Sequence, residues 1–501
     1  MTPGLNLSDY ANSAVNNGQS SLAGDSSMEE LNQLHKALEA GSITGRETSD
    51  SSDASGAPLK VESLDKNLKH ITFKESDIVL WKQVPKKAAY NTVEEYNQLV
   101  DYGEQRGGFY NEGELPNEED TTYVRRAQLV KFMGVVKSVT HPMTLVNNQV
   151  GNVVEREIRN GTLWILRQLN RSLYFGDQTL VPQEFNGYLA QHYRNDSFQD
   201  LDAYFDSEIV IDLRGSHLTE EAIEDGANGI IQNFGLGNQL FAPPKVMSDF
   251  VKDFYGNKFI NPNTNQTSAG IMGQRVQAFD SQFGRIGLNY DIFFNKKANK
   301  RITAPATSKQ APNAIVPDGT SPITAVGTDA KSKWAAGDAG NYIYAVTATN
   351  RYGESELAAL SGTPTNVTSN GAVDLNFADG GGTTGATSYT VYRSNKGASA
   401  PSNATFFPLF TISKDEKVNG YDGGANGIVR DRNRFMPDMD QAVLFQMDNE
   451  VIEFAQLAPL MKMDLALLSP AYRFMILLYG TPFLYAPKKM VRIVNIGKFT
   501  G

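Results

Sequence analysis

One stretch of the chain, residues 152–176 (NVVEREIRNGTLWILRQLNRSLYFG), constrains the fold more than any other. Its apolar residues recur at close to helical spacing, which predicts one long amphipathic helix; they are Val154, Ile158, Leu163, Ile165, Leu166, Leu169 and Leu173. Glu155 and Arg159 stand four residues apart, as in a mildly stabilising helical pair. Gly176 follows where a C′ glycine would end the helix. Since the run carries no catalytic signature, we expect a helix with a structural role.

Composition excludes several classes of protein. The chain has 501 residues, enough for several domains, and no cysteine, so disulfides, thiolate chemistry and cysteine-based zinc sites are excluded. A net charge of −10 argues against sequence-wide attraction to nucleic-acid phosphates. The N-terminus lacks the basic start and apolar core of a signal peptide, and no apolar run is long enough to cross a bilayer. This composition fits a reducing cytoplasm.

The N-terminal part of the chain predicts a flexible segment followed by extended structure. Residues 1–65 are poor in large apolar side chains; 28–38 could form a short helix, and 45–58 indicates a linker. Residues 66–149 predict an arm and then a long β-hairpin with a polar, glycine-rich tip at 102–119. The apolar anchors of the arm are Ile71, Phe73, Ile78, Leu80 and Trp81. A hairpin of this size is marginally stable alone, so we expect it to lie on another body, with a neighbouring subunit as one candidate.

Residues 208–260 predict alternating strands and helices. A strand at 209–213 precedes a helix over 217–234, which has Thr219 as its N-cap and Gly235 as its stop. Pro244 opens a second helix. The apolar face of the first helix is predicted to contain Ile223, Ala227, Ile230, Ile231 and Phe234. Towards the C-terminus, strands are predicted at 442–445, 472–479 and 490–496.

The composition changes near residue 303, and residues 303–434 predict an all-β sandwich inserted into the rest of the chain. Gly, Ala, Thr, Ser and Asn dominate, and short strands of period two are separated by turn clusters. The apolar positions of three such strands are Tyr342, Tyr344 and Val346; Val373, Leu375 and Phe377; and Tyr389 and Val391. The phrases GNYIYAVTATNRYGES and GATSYTVYRS resemble fibronectin type III or immunoglobulin-like modules.

Five phrases outside this segment occur in an order that resembles a known family. They are EREIRNGTLWILRQLNRSLYFGD (155–177), VIDLRGSHLTEEAIEDGANGIIQNFG (210–235), LFAPPKVMSDF (240–250), FQMDNEVIEFAQLAPL (445–460) and MILLYGTPFLYAPKKMVRIVNI (475–496). Together they resemble the podovirus-type major capsid proteins of tailed bacteriophages, which have the Hong Kong 97 fold. The resemblance covers most of the chain outside the N-terminal segment and the predicted insertion.

The resemblance implies an α+β fold with a set of named parts. Residues 66–302 would form the first part of the capsid core: the N-terminal arm, an extended loop over about 90–145, a spine helix over about 150–176, and axial-domain elements over about 205–300. Residues 435–501 would form its second part, with some of 436–475 axial and the C-terminal strands peripheral beside the spine. The extended loop would lie over the next subunit. Some family members cross-link subunits through a Lys and an Asn, but for Lys86, Lys87 and Lys131 we expect salt-bridge or solvated roles.

The residues show no constellation typical of catalysis. Neither a nucleophile elbow nor a Walker loop occurs, and the five histidines have no metal-ligand spacing, so we expect surface or hydrogen-bonded roles for them; they are His35, His70, His141, His192 and His217. The acidic hairpin tip could bind a cation, but a solvated loop is the preferred interpretation; its carboxylates are Glu112, Glu114, Glu118, Glu119 and Asp120. Arg125 and Arg126 beyond them suit docking against a neighbour.

The first functional hypothesis is a structural shell protein without catalysis, cofactor or metal. Identical subunits would form pentamers and hexamers in an icosahedral capsid, assembled in the bacterial host cytoplasm, with scaffold, portal and auxiliary capsid proteins as partners. DNA would be enclosed without sequence-specific binding, and no membrane is involved. The inserted domain could bind a host-surface ligand or strengthen neighbouring capsomers. The expected inter-subunit contacts are Tyr102, Arg106, Phe109, Tyr110, Arg125 and Arg126 of the hairpin, Phe73 and Trp81 of the arm, and Arg156, Trp164 and Arg167 of the helix. The alternatives are a modular carbohydrate-active enzyme and a surface adhesin.

Overall fold

The structure is a computed structural model that describes most of the chain after residue 71. The described residues are 72–103, 109–115, 118–146, 152–194, 200–257 (backbone only for 254–257), 276–294, 311–319, 321–381, 385–466 and 469–499. All of them fall in the unit formed by His70–Val146 and Asn152–Gly501. The predicted helix at 28–38, the linker at 45–58, and the residues Ile71 and Arg106 lie outside the described residues.

The helices of the described residues are mostly short, with one long exception. In chain order they are α1 (Leu80–Gln83), α2 (His141–Leu145), α3 (Val153–Phe175), α4 (Tyr188–Tyr193), α5 (Leu201–Phe205), α6 (Glu220–Gln232), α7 (Pro244–Asn257) and α8 (Lys414–Asn419). Single 3₁₀ turns occupy Glu75–Asp77, Pro401–Asn403 and Pro487–Lys489.

The strands fall into three stretches of the chain. The first contains β1 (Lys86–Ala88), β2 (Val93–Asp101), β3 (Thr122–Leu129), β4 (Lys131–Thr140), β5 (Val210–Asp212), β6 (Gln239–Ala242), β7 (Ala278–Ser281) and β8 (Gly284–Tyr290). The second contains β9 (Val316–Pro317), β10 (Ile323–Val326), β11 (Gly340–Tyr342), β12 (Tyr344–Asn350), β13 (Gly353–Glu354), β14 (Ala358–Ala359), β15 (Thr365–Val367), β16 (Ala372–Ala378), β17 (Ser388–Ser394), β18 (Phe406–Ser413) and β19 (Ile428–Asp431). The third contains β20 (Asp440–Phe445), β21 (Ile452–Asp464), β22 (Ala471–Leu484) and β23 (Met490–Ile496). The predicted α+β class is confirmed.

The long helix α3, here called the spine helix, lies one residue inside each predicted end. The side-chain oxygen of Asn152 caps it by accepting a hydrogen bond from the Val154 N–H at 3.0 Å. Its apolar stripe packs on β4 and β22, as its periodicity requires. The buried residues of the helix are Gly161, Ile165, Leu169, Asn170, Leu173 and Tyr174.

Two glycines allow the spine helix to approach its neighbours closely. A Cβ on Gly161 would lie 2.6 Å from Cδ1 of Ile476 in β22. Gly176 ends the helix with φ −58°, which is not the left-handed conformation of a C′ glycine. A Cβ there would lie 2.6 Å from the carbonyl oxygens of Ser172 and Phe185. The predicted role of Gly176 is therefore corrected: close approach, and not a positive φ, requires glycine at this position.

The spine helix covers a four-stranded sheet, the spine sheet, with the order β1-β21-β22-β4. The strands β21, β22 and β4 are antiparallel, and β1 adds to β21 in parallel. Aromatic and aliphatic side chains from the helix and the sheet form one buried cluster, which includes Leu169, Leu173, Phe185, Phe454, Phe474, Ile476 and Leu478. At about 25 cal/mol per Å² of apolar area, this burial is the main stabilising contribution of the region.

A second sheet of six strands has the order β5-β23-β20-β6-β8-β7. The helix α6 packs against it with Ile223, Ala227 and Ile230 fully or nearly fully buried. Thr219 is the predicted N-cap and accepts a hydrogen bond from the Ala222 N–H at 3.3 Å. The C-terminal strand β23 belongs to this sheet, whereas β21 and β22 lie under the spine helix. The expected assignment of the C-terminal strands as a group to the spine side is therefore wrong for β23.

The end of α6 also differs from its prediction. Phe234 was expected on the buried face, but it is 92% exposed. The chain reverses there with φ +58° at Phe234, in the left-handed region that Gly235 was expected to supply. The helix stops at Gln232, so Phe234 no longer lies at a helical offset from Ile230.

The hairpin and the arm before it are partly as predicted. Strands β2 and β3 pair antiparallel from Val93 opposite Leu129 to Asp101 opposite Thr122, so the long hairpin is confirmed. The arm is not extended throughout, because α1 and a 3₁₀ turn interrupt it, and α2 follows β4. Leu80 in α1 is fully buried against the spine helix.

Residues 311–434, here called the β-rich segment, form antiparallel sheets. One has the order β10-β16-β19 with β9 on β16, and another has the order β13-β12-β17-β18 with β14 on β12, while β11 pairs with β15. The two larger sheets face one another, because Phe377 and Tyr389 are in ring contact at 5.2 Å. Every residue of β12 is buried, so the one-sided exposure that its period-two pattern predicts is absent.

Candidate subunit-assembly surface

The hairpin is the part of the described chain that exposes most apolar surface. Along it and its flanks, aromatic and aliphatic side chains are exposed to solvent, including Tyr90 (91%), Tyr102 (80%), Phe109 (101%), Tyr110 (61%), Leu115 (91%) and Tyr123 (68%). Soluble proteins rarely leave such side chains clustered without a partner. The hairpin therefore has the character of a contact surface that lacks its partner in a single copy.

The hairpin is held to the body mainly at its root. The ring of Tyr96 contacts Phe483 at 5.4 Å and Tyr485 at 4.8 Å, and the amide of Gln98 donates to the Tyr485 carbonyl. Arg125, a predicted docking residue, pairs with Glu95 across the two strands at 3.5 Å while both side chains stay largely exposed. Arg126 donates to the Gln98 side-chain oxygen at 3.3 Å. These two arginines thus have contacts within their own hairpin.

The structure places Phe73 and Trp81 of the arm in contacts within one copy. Phe73 packs on Phe293 at 5.6 Å, with the guanidinium of Arg167 over its ring at 5.6 Å. Trp81 packs edge-on against Phe454 at 4.9 Å. These contacts attach the arm to the spine region.

A buried polar network, which the sequence did not indicate, fixes the arm further. The side-chain oxygen of Asn170 in the spine helix accepts a hydrogen bond from the backbone N–H of Trp81 at 3.0 Å. The side-chain amide of Asn170 donates to the Asp291 carboxylate at 2.8 Å. The Tyr174 hydroxyl donates to the same carboxylate at 3.1 Å. Burial raises the pKa of Asp291 despite these donors. The only sequence signal was two polar residues, Asn170 and Tyr174, inside the apolar stripe of the helix.

Beside the spine helix lies a cleft of about 630 Å³, bordered by β4 and by the turn after β12. Its floor is apolar and buried: Leu169, Val181, Phe185, Phe454 and Leu478. Its rim carries cations and aromatic rings: Lys131, Phe132, Trp164, Arg167, Arg171, Arg351 and Tyr352. Two of the predicted contact residues, Trp164 and Arg167, are thus brought together on one rim, whereas Arg156 does not line the cleft. Tyr352 and Arg351 were not predicted, because they are distant in sequence from the helix.

A second group that the sequence did not reveal lies where the β-rich segment joins the body, in the stretch RDRNR (430–434). Asp431 and Asn433 face into the segment: the buried Arg393 guanidinium donates to Asp431 at 2.8 Å and to Asn433 at 2.7 Å. The Tyr344 hydroxyl donates to Asp431 at 2.9 Å. The other three residues of this stretch, Arg430, Arg432 and Arg434, have different partners.

Arg430, Arg432 and Arg434, together called the segment base, pair with aspartates from several parts of the chain. Arg430 donates to Asp374 at 2.7 Å, and Arg432 donates to Asp329 at 3.0 Å and to Asp422 at 3.1 Å. Arg434 pairs with Asp422 at 3.0 Å and also with Asp202 of α5. The last pair connects the segment to the helix that precedes the six-stranded sheet. A stretch in which every second residue is an arginine was the available signal, but the partners of these arginines cannot be read from sequence.

Among the histidines and lysines named from the sequence, His192, Lys87 and Lys131 have contacts of structural kinds, whereas His35 and His70 lie outside the described residues. His192 is fully buried with Nε2 3.0 Å from the Met490 carbonyl, and burial lowers its pKa to about 3. Lys87 lies 3.6 Å from Glu94, and Lys131 donates to the Pro182 carbonyl at 2.7 Å. Among the described residues, no group of three or more His, Asp or Glu is arranged to hold a metal ion. Nor does any helix in the described part of the chain have the length and apolarity needed to cross a membrane.

Comparisons with known proteins show which proteins this chain is similar to. Residues 110–309 match the model of the SU10 major capsid protein family. The major capsid protein of Staphylococcus phage K is 22% identical over 451 residues, which cover 87% of this chain and 90% of the relative. Among solved structures, the capsid of a native GTA particle aligns with 90% of this chain and 99% of its own, at 8% identity and a TM-score of 0.43. A chain from Mycobacterium phage Bobi aligns with 89% of this chain and 99% of its own, at 8% identity and a TM-score of 0.42.

The classification rests on the sequence matches alone, because the TM-scores of these structural alignments lie below 0.5. The described residues combine a long helix on a four-stranded sheet, a hairpin and a second sheet of six strands. The chain is similar in sequence to phage major capsid proteins over most of its length, so the resemblance stated from its own residues is confirmed. The Hong Kong 97-type fold, which that resemblance implies, stays a prediction.

Proposed function

We propose that this chain is the structural subunit of a phage capsid and assembles with identical copies into an icosahedral shell of pentamers and hexamers that encloses DNA. The single observation that carries this proposal is the hairpin, whose exposed aromatic side chains find no partner within the described part of one copy. The similarity of the whole chain to a major capsid protein, over 87% of its length, supports the same proposal.

The physical basis of assembly is multivalency. Each subunit would touch several others, so that contacts of modest strength add to a stable lattice. Closed symmetry limits growth to a finite particle. No catalysis is needed, and we propose none.

The contact residues follow from the exposed parts of the surface. We propose that Tyr102, Phe109 and Tyr110 contact a neighbouring copy directly, and that Arg125 and Arg126 set its register. We propose the same role for Arg106, which lies outside the described residues. Phe73 and Trp81 would act by fixing the arm, whereas Arg156, Trp164 and Arg167 would present the surface on which a neighbour lies.

We propose that residues 303–434 are an inserted domain of the immunoglobulin or fibronectin III type, with residues 66–302 and 435–501 forming the two parts of the core and 1–65 a flexible N-terminal segment. The facing antiparallel sheets of the β-rich segment support the sandwich. A chain in which 303–434 is replaced by a short linker should remain soluble and keep its circular dichroism signal from the core. An insoluble product would contradict these boundaries.

The other partners are proposed from the class of protein. Scaffold, portal and auxiliary capsid proteins would join the shell, and the inserted domain would present a surface to a host ligand. The net charge of −10 favours enclosure of DNA without sequence-specific binding. The virion would be the final location, after assembly in the host bacterial cytoplasm.

Assembly can be tested with the purified protein, alone and together with its scaffold. Size-exclusion chromatography and negative-stain microscopy should show closed shells or capsomers. A protein that stays monomeric in every condition would overturn the proposal. A small oligomer that binds or cleaves carbohydrate would instead support the alternative of a modular enzyme or adhesin.

A further inference from the structure

The cleft beside the spine helix has the size and the lining of a small-molecule site. Its volume is about 630 Å³, and ligand sites in proteins usually measure about 300–1,000 Å³, with apolar walls and a few polar groups in fixed positions. The floor side chains Leu169, Phe454 and Leu478 are almost completely buried. They offer water no hydrogen-bond partner, so the floor favours a ligand with an apolar body.

The positive charges that line the cleft outnumber the negative ones. Lys131, Arg167, Arg171 and Arg351 line it with a single carboxylate, that of Glu184, although the chain as a whole has a net charge of −10. Among the described residues, Lys131, Arg167 and Arg351 form no ion pair: the lysine donates to a backbone carbonyl at 2.7 Å, and each arginine lies over an aromatic ring, at 5.6 Å and 4.4 Å. A cleft of one sign with apolar walls concentrates ligands of the opposite sign.

Aromatic rings on the rim add a preference for a flat ligand, which can stack on them. Trp164 is 41% exposed, and Tyr352 lines the cleft from the β-rich segment. The side-chain oxygen of the buried Asn350 accepts the N–H of Tyr352 at 2.9 Å and that of Gly353 at 3.1 Å, so this turn is fixed before a ligand arrives. A preformed wall lowers the entropy that binding costs.

We propose that this cleft binds a small aromatic anion, whose aromatic body lies on the apolar floor and whose negative group lies beside Lys131, Arg167 and Arg351. The floor and the rim both belong to one copy, so the site goes beyond the proposed shell function and needs no assembly. Arg351 and Tyr352 would give the β-rich segment a part in ligand binding, because without them the cleft loses one cation and one ring.

Two ligands that differ mainly in charge test this inference on the full chain, below the concentration at which it assembles. Anilinonaphthalene sulfonate, itself an aromatic anion, becomes fluorescent when it leaves water for an apolar site and reports occupancy. Naphthoate should displace it, and the uncharged naphthamide should need a ~10-fold higher concentration, because only the carboxylate forms charge-assisted hydrogen bonds with the rim. Titration should give one displaceable probe per copy.

Adenosine monophosphate, which combines an aromatic base with a phosphate, is the third competitor. Displacement of the probe at the same concentrations as naphthoate would identify nucleotides as the source of the anion. Displacement by naphthoate alone would identify aromatic carboxylates. Both results support the site.

Substitutions on the rim connect the binding to this cleft. Arg351→Glu should weaken naphthoate binding by ~3–10-fold and leave naphthamide binding unchanged, because only the anion meets the reversed charge. Arg285→Glu is the matched control, at an arginine whose side chain is 75% exposed outside the cleft, and should change neither. Phe109→Ser removes an exposed ring of the hairpin and should also change neither, which excludes the hairpin as the binding site.

Three results would overturn the site: a probe that naphthoate does not displace, equal displacement by naphthoate and naphthamide, or a loss of binding in the Phe109 variant instead of the Arg351 variant. Sedimentation measures shell formation separately, so the proposed shell function survives each of them. A parent protein that binds naphthoate as described but never forms shells or capsomers would overturn the shell function and leave the site intact.

Discussion

The hairpin and the β-rich segment are attached to the rest of the described chain in opposite ways. The segment is attached through buried ion pairs and a shared apolar cluster, in which Phe435 contacts Phe205 of α5 and Phe410 of β18. Among the described residues, the hairpin is packed mainly at its root and leaves aromatic side chains in solvent. The segment thus has buried charges and apolar groups that find partners within one copy, whereas the hairpin has aromatic side chains that remain exposed.

The difference indicates where the hairpin and the β-rich segment each obtain their stability. A buried charge must be satisfied within the fold, because removing it from water costs several kcal/mol. An exposed aromatic ring costs little until a partner covers it. Substitutions in the segment should therefore change the stability of a single copy, and substitutions in the hairpin should change assembly.

The largest effect on stability is expected at the buried pair of Arg393 and Asp431. Asp431→Ala leaves the Arg393 guanidinium buried without its carboxylate and should destabilise the fold by about 3–5 kcal/mol. The measurement is urea unfolding followed by circular dichroism, interpreted for the transition that includes the β-rich segment.

The matched control is Asp280→Ala, which removes the carboxylate of an exposed pair with Arg285 at 4.0 Å. Its effect should stay within about 0.5 kcal/mol. Equal midpoints for the two variants would mean that the segment is not held by its buried charges.

Acid should weaken the segment base next, through Asp329. Burial disfavours the charged form of Asp329, but the Lys331 N–H and the Arg432 guanidinium outweigh it and hold the pKa below its usual range. Because the folded-state pKa lies under the unfolded value of about 3.9, this carboxylate stabilises the fold above that pH. The contribution is lost as the pH falls through the folded-state pKa.

Asp329→Asn should therefore lose ~1–3 kcal/mol at neutral pH and show a shallower loss of melting temperature in acid than the parent. Melting curves between pH 7 and pH 2 measure this slope. Asp280→Asn is the control for the general effect of removing a carboxylate. An acid slope identical to that of the parent would exclude Asp329 as a source of the pH dependence.

A smaller and local effect is expected at the hairpin root. Tyr96→Ala removes the ring that packs on Phe483 and Tyr485 and should cost about 1–2 kcal/mol. Hydrogen exchange should speed up in β2 and β3 more than in β22. Tyr123→Ala, at a 68% exposed ring of the same hairpin, should leave exchange nearly unchanged. Uniform acceleration across the whole chain would show that the hairpin is not an independent unit.

Local signals predicted the elements well, and long-range contacts explain what was missed. The periodicity of the spine helix and the Thr219 cap depend on neighbours in sequence, and both are confirmed. The short helix α1 could not be predicted, because the packing of Leu80 and Trp81 on a distant helix determines it. The same holds for the complete burial of β12, since only the surrounding elements show that both of its faces are covered.

The candidate surface likewise has one part that the sequence predicted and other parts that it did not. The exposed hairpin was predictable, because polar, glycine-rich sequence around aromatic residues rarely forms a core. The cleft was not, since residues 131, 164 and 351 meet only in the folded chain. The segment base was missed because Arg434 and Asp202 are separated by more than two hundred residues, and charge pairs at such distance leave no local pattern.

The smallest effect on the stability of a single copy, and the clearest separation between folding and assembly, is expected at the hairpin tip. Phe109 is fully exposed, so Phe109→Ser should change unfolding by no more than about 0.5 kcal/mol. In a shell, the same ring would be buried once per subunit, and its loss would be repeated at every contact. The yield of shells by sedimentation should therefore fall severely while urea midpoints stay constant. Leu357→Ser, at a 44% exposed apolar residue of the β-rich segment, should leave both quantities near those of the parent. A Phe109 variant that assembles normally would show that the hairpin tip is not a contact surface.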